Sequence, residues 1–137
     1  MGNSAAEIHS PKIIMVNDEP FVLEALEMMI RLWFKNATIL MFNIPEEALE
    51  ELLRSDPDLL ITDDKMPRMD GCEIVGRLAD RNVTYPIIVT SPWSPTEAWV
   101  REWANYGLNI SYLAQPFTVE ELKGELTKHH IGPGTNP

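Results

Sequence analysis

Two aspartates, a hydroxyl and an amide occupy positions from which they could act on one ligand. Asp18 and Asp63 follow the first and third of five short apolar runs, Thr90-Ser91 lies at the end of the fourth, and Gln115 follows the fifth. If the runs are strands of one parallel sheet, these ends share an edge and the carboxylates converge. Close carboxylates repel unless a hard cation lies between them, and an all-oxygen ligand set with room for water suits Mg²⁺. Acids after strands are also ordinary loop residues and helix caps. Position alone therefore leaves both readings open.

The runs are Lys12–Val16, Ala37–Phe42, Asp58–Thr62, Pro86–Thr90 and Asn109–Ala114. Each has strand length, and runs apolar on both faces belong to a parallel sheet covered by helices. Helical spacing marks Pro20–Phe34, where Val22, Ala25, Leu26, Met29, Ile30 and Trp33 form a stripe and Glu24, Glu27 and Arg31 face outward. Pro45-Glu46-Glu47 opens a second helix with the stripe Ala48, Leu49, Leu52 and Leu53. A third helix near Cys72–Asp80 is the least marked, because Gly76 interrupts it. Ser94-Pro95-Thr96-Glu97 and Thr118-Val119-Glu120-Glu121 read as capping boxes that start the fourth and fifth. The expected fold is α/β, a doubly wound five-stranded parallel sheet in three α/β/α layers, with its ligand site at the carboxyl ends of the strands.

One segment sharpens the chemistry. Asp63-Asp64-Lys65-Met66-Pro67-Arg68-Met69-Asp70-Gly71 resembles the D-x-x-M-P-x-M-D-G signature of response-regulator receiver domains, the CheY-like phosphoacceptor family. Asn17-Asp18-Glu19-Pro20 is similar to the family's acidic turn after strand one, Thr90-Ser91 to its hydroxyl-plus-small pair, and Tyr112-Leu113-Ala114-Gln115-Pro116-Phe117 to its aromatic-x-x-K-P-F segment. The resemblance spans the whole domain. It implies that Asp63 is a phosphoacceptor, charged by a phosphohistidine on a sensor histidine kinase or phosphotransfer protein. It further implies Mg²⁺ bridging Asp18, Asp63 and the backbone carbonyl of Lys65, with Asn17 reaching it through water. Thr90 and Ser91 would meet the phosphoryl group, and Tyr112 would turn inward to reshape the face of the fourth helix, fifth strand and fifth helix, a two-state switch. Pro116 is the candidate for a cis peptide in the next loop.

Two positions depart from that pattern. Asn17 stands where the family has an acid, which implies weakened metal affinity, and Gln115 stands where it has a lysine. An amide cannot neutralise developing phosphoryl charge or make the charge-assisted contact that couples phosphorylation to the switch. Lys65, two residues after the phosphoacceptor, could place its ammonium near the phosphoryl from the other side; the plainer reading is a solvated loop lysine. Both departures support a runner-up, a pseudo-receiver that binds its partner without phosphorylation. A flavodoxin-type nucleotide site would need a Ser/Thr/Gly-rich loop where the acidic Asn17–Pro20 stands, and a small-molecule phosphatase would need a cap that this chain has no room for.

Composition agrees. The chain has 137 residues, one domain's worth, expected over 11–131 with tails at 1–10 and 132–137. Twenty-one acids against eleven bases give a formal charge of -10, which disfavours direct contact with nucleic acid or anionic membrane. There is no apolar run of membrane-spanning length, no signal-peptide pattern, and a single cysteine, Cys72, which reads as a small packed residue in a cytoplasmic protein. Among residues that invite a role, one of Trp99 and Trp103 is expected in the core and Trp93 reads as an interface anchor or ordinary packing. His129-His130 reads as a helix C-terminus rather than a metal site. Asp64 is expected to point away from Asp63 as a bystander. An effector domain beyond the chain, or a dimer through the fourth and fifth helices, is left open.

Overall fold

The computed structural model describes residues 10–129 and Ile131. Of the tails expected over 1–10 and 132–137 only Ser10 is described; the rest of them, and the reading placed on His130, lie outside these residues. Five strands alternate with five helices: β1 Lys12–Val16, α1 Pro20–Arg31, β2 Thr38–Phe42, α2 Pro45–Arg54, β3 Leu59–Asp63, α3 Gly71–Ala79, β4 Ile87–Ser91, α4 Pro95–Asn105, β5 Ile110–Ala114 and α5 Val119–Lys128. The strands form one parallel sheet in the order β2-β1-β3-β4-β5. This is the doubly wound three-layer architecture expected from the apolar runs.

Alternation along the strands divides the core in two. Ile14, Val16, Leu60, Ile87 and Val89 face a cluster with Leu49, Leu52, Ile74, Leu78 and Val100 of α2, α3 and α4. Ile13, Met15, Leu59, Ile61 and Ile88 face the opposite cluster with Leu23, Leu26, Ile30, Leu122 and Leu126 of α1 and α5. Each such side chain contributes about 1.5–3 kcal/mol on full burial, so the central strands are fixed in register from both sides. The register sets the site: Val16 pairs with Thr62, Asp63 with Thr90, and Thr90 with Leu113.

Local details depart from the sequence reading in three places. Helix α3 runs unbroken through Gly76, started by Asp70, whose carboxylate accepts from the Glu73 N–H at 2.9 Å. Ser94 is not a side-chain cap: its backbone is already helical (φ -61°, ψ -32°) and its hydroxyl makes no cap bond, whereas Thr118 and Glu121 form the complete reciprocal box. In α1 the buried edge is Leu23, Leu26 and Ile30, with Ala25 exposed. Phe21, Met28 and Leu32, 64–72% exposed, occupy the outer side, so that helix carries apolar residues almost all round and its phase could not be read from apolarity alone.

Candidate functional site

The carboxyl ends of β1, β3, β4 and β5 bring the expected residues to one edge. Asp63 is the last residue of β3, half-buried, and its Oδ1 accepts from the Asp64 N–H at 2.9 Å. Burial pushes its carboxyl up to about 6 despite that hydrogen bond, and the neighbouring charges of Asp18, Asp64 and Glu19 push in the same direction. Asp18 and Glu19 sit in the turn before α1 and, with Pro20 and Phe21, line an open hollow of ≈ 490 Å³ beside it. Asn17 is buried, and its side-chain carbonyl accepts from the Glu19 N–H at 2.9 Å, so the residue that replaces an acid shapes the turn that presents Asp18.

The loop after β3 must pass close beneath the site. Gly71 donates its N–H to the Asp64 carbonyl at 2.7 Å, and a Cβ at Gly71 would lie 2.4 Å from the Asp63 carbonyl oxygen. Only glycine fits there. On the other side, Thr90 is 2% exposed and its hydroxyl accepts from Gln115 Nε2 at 2.8 Å. Tyr112, half-buried, donates its hydroxyl to the Ser91 carbonyl at 2.8 Å, and the Gln115 N–H donates to the same carbonyl at 3.0 Å. The Gln115–Pro116 peptide is cis, at the position singled out.

A cation fits this donor set. A desolvated carboxyl crowded by other acids is the environment that a hard cation relieves, and carboxylate oxygens with room for water suit Mg²⁺. Among the described residues no three acidic, imidazole or thiol side chains form a cage by themselves, so a cation held here would need backbone oxygens or water as well.

Sequence reasoning missed one group. Asp64 is not a bystander: its side chain is completely buried, and Oδ2 accepts from Thr96 Oγ1 at 2.6 Å and from Trp99 Nε1 at 3.3 Å. It does point away from Asp63, as alternation requires, but into the start of α4. Thr96 and Trp99, three residues apart on one helical face, were the available signal. Trp99 and Trp103 are both half-buried against the core, and Trp103 meets the Tyr106 ring at 6.0 Å. Trp93 is 47% exposed, with Lys65 Nζ 4.2 Å above its ring. His129 is the C-terminal cap of α5, as expected of a dipole partner, with Nε2 at 2.9 Å from Ser111 Oγ.

Comparison with known proteins places this site in context. A family model described as the response regulator receiver domain matches residues 13–127. The response regulator MprA of Mycobacterium leprae is 32% identical over 114 residues, 81% of this chain and 47% of that protein. The probable C4-dicarboxylate response regulator DctR of Halalkalibacterium halodurans is 25% identical over 118 residues, 86% of this chain and 50% of that protein. The chain thus spans about half the length of these curated relatives. Among solved structures, a CheY-like response regulator receiver domain protein of Methanospirillum hungatei superposes with a TM-score of 0.75 at 18% identity, covering 88% of this chain and 94% of its own. The receiver domain of the Francisella response regulator 1452 gives 0.74 at 22% identity, covering 88% and 97%.

Proposed function

The chain belongs to the response regulator receiver-domain family of two-component signalling, and on that premise we propose that Asp63 accepts a phosphoryl group from a phosphohistidine of a sensor histidine kinase or phosphotransfer protein. The observation that carries the reading is the half-buried Asp63 among acids at the carboxyl edge of the sheet, in register with the Thr90 hydroxyl. In the transfer an Asp63 oxygen bonds to phosphorus as the phosphorus–nitrogen bond breaks, its electron pair leaving with the imidazole. Asp63 acts as nucleophile and not as base. Asp18, Asp63 and the Lys65 carbonyl would hold Mg²⁺, with Asn17 contributing through water; when bound, the cation offsets repulsion between the carboxylates and the dianionic phosphoryl group.

The remaining residues read the result. Because Thr90 Oγ1 accepts from Gln115, its own hydrogen is free to donate to a phosphoryl oxygen. Drawing Thr90 toward that oxygen would disturb the β4 end where Tyr112 is pinned to Ser91, and so the face of α4, β5 and α5. The domain catalyses its own phosphorylation and dephosphorylation rather than turnover of a small molecule. An effector domain or a second copy of the chain is the output in this reading, a cytoplasmic location fits the unpaired Cys72, and the charge of -10 argues against direct nucleic-acid contact. No helix among the described residues is long and apolar enough to cross a membrane.

Incubation with acetyl phosphate and Mg²⁺, read by intact mass, is expected to give a single phosphoryl adduct that Asp63→Asn lacks. No adduct, together with unchanged tryptophan fluorescence on adding beryllofluoride and Mg²⁺, would favour the second reading, a phosphorylation-independent interaction module. Asn17 and Gln115 are the observations on that side. The ammonium of Lys65, held over Trp93 at the rim, partly replaces the charge missing at Gln115 in our reading. Lys65→Ala is then expected to slow adduct formation roughly fivefold, equivalent to about 1 kcal/mol. Equal rates of formation and decay in the variant would sink that role.

A further inference from the structure

Asp64 is a fully buried acid in direct sequence with the proposed phosphoacceptor, and nothing in the transfer chemistry uses it. Its Oδ2 takes the Thr96 hydroxyl at 2.6 Å, a length in the range of charge-assisted hydrogen bonds, and also the Trp99 indole N–H. Its Oδ1 has no hydrogen-bond partner among the described residues. Burying a half-satisfied carboxyl is costly, so a hydrophobic residue would serve a purely structural role better. Around it, Thr96 Oγ1 lies 3.1 Å from Ser91 Oγ, and that oxygen accepts from the Trp93 N–H at 3.0 Å. Two consecutive side chains, Asp64 to Thr96 and Trp99, and Lys65 to Trp93, therefore fasten the loop after β3 to the start of α4.

We propose that Asp64 is a positioning residue that relays the state of Asp63 to the first turn of α4 through Thr96 and Trp99, a route that does not pass through Gln115. The inference rests on the phosphoacceptor reading. The link at one end is the Asp64 N–H, which donates to Asp63 Oδ1. Joining a phosphoryl group to an Asp63 oxygen converts the carboxylate to an acyl phosphate. Its acceptor strength toward that N–H falls, and a dianion is set beside Asp64. Asp64 cannot swing aside alone, because its carboxyl is tied to two residues of one helix. The two states of Asp63 thus differ in their interaction with α4, which is what a population shift requires.

The test pairs two readouts on the full chain. Adduct formation from acetyl phosphate and Mg²⁺ is followed by mass, and backbone hydrogen exchange of peptides spanning 95–105 is followed with and without beryllofluoride and Mg²⁺. Thr96→Val, nearly isosteric, and Trp99→Phe, which drops the indole N–H, are expected to form the adduct at the parental rate yet lose most of the exchange response in α4. Thr96→Ser, which keeps the hydroxyl, is expected to restore it. An undiminished response in both Thr96→Val and Trp99→Phe overturns the relay. So does a parent protein that forms the adduct with no response in α4. A parent protein that forms no adduct overturns the phosphoacceptor reading instead, and the relay with it.

Discussion

Gly71→Ala is expected to destabilise the fold by about 1–3 kcal/mol and to abolish most phosphoryl transfer, although alanine is ordinarily the better helix former by about 1 kcal/mol. The new Cβ would stand 2.4 Å from the Asp63 carbonyl oxygen, 3.0 Å from Asp64 Cα and 3.2 Å from the Asp63 carbonyl carbon. All three are backbone atoms, so no rotamer change can relieve the contact. Either α3 or the end of β3 must move, and the second displaces the carboxylate itself. Two other helical glycines supply the control. Among the described residues outside its own helix backbone, a Cβ at Gly76 in α3 would meet only Trp103 Cζ2, at 4.0 Å, and one at Gly124 in α5 would meet nothing within 4 Å. Their alanine variants are expected to stabilise by about 0.5–1 kcal/mol each. Denaturant unfolding of the three variants checks the signs, and a Gly71→Ala protein as stable as the parent would mean that this close approach does not govern the site.

Much of this was legible because it depends on periods and on chain ends. Strands apolar on both faces announce a covered parallel sheet, and Pro20, Pro45 and Thr118 mark where the chain turns back as helix. Since parallel strands end on one edge, the convergence of Asp18, Asp63, Thr90 and Gln115 followed from the topology. What was not legible is what lies opposite a side chain. Alternation gave the direction of Asp64 correctly, but only tertiary packing puts Thr96 and Trp99 in its path. Ser94-Pro95-Thr96-Glu97 satisfies the capping pattern, yet Ser94 has a helical backbone and makes no cap bond, while the hydroxyl put to use is that of Thr96, on the distant Asp64. In α1 the outward Phe21, Met28 and Leu32 blurred the stripe and hid the burial of Leu23.

Asp63→Asn is expected to raise thermal stability at neutral pH while removing the phosphoacceptor, the mark of a group kept for chemistry and not for folding. Burial first, then the charges of Asp18, Asp64 and Glu19, lift the Asp63 carboxyl from 3.8 to about 6 in the folded chain. The folded state therefore binds this proton more tightly than the unfolded state, and the charged carboxylate opposes folding. Stability from this group is greatest below the unfolded value and declines as pH rises from about 4 to about 6, with no further change above. Two units correspond to at most about 3 kcal/mol, and the solvent that reaches the half-buried group reduces this to about 1. With Mg²⁺ removed by chelation, the asparagine variant should be more stable than the parent at pH 7.5, and the gap should close by pH 4. Adding Mg²⁺ should then stabilise the parent more than the variant, because only the parent keeps both carboxylates. A parent protein that outlasts the variant at pH 7.5 without metal would show that the acids around Asp63 do not strain it, and would remove the electrostatic reason for a cation at this edge.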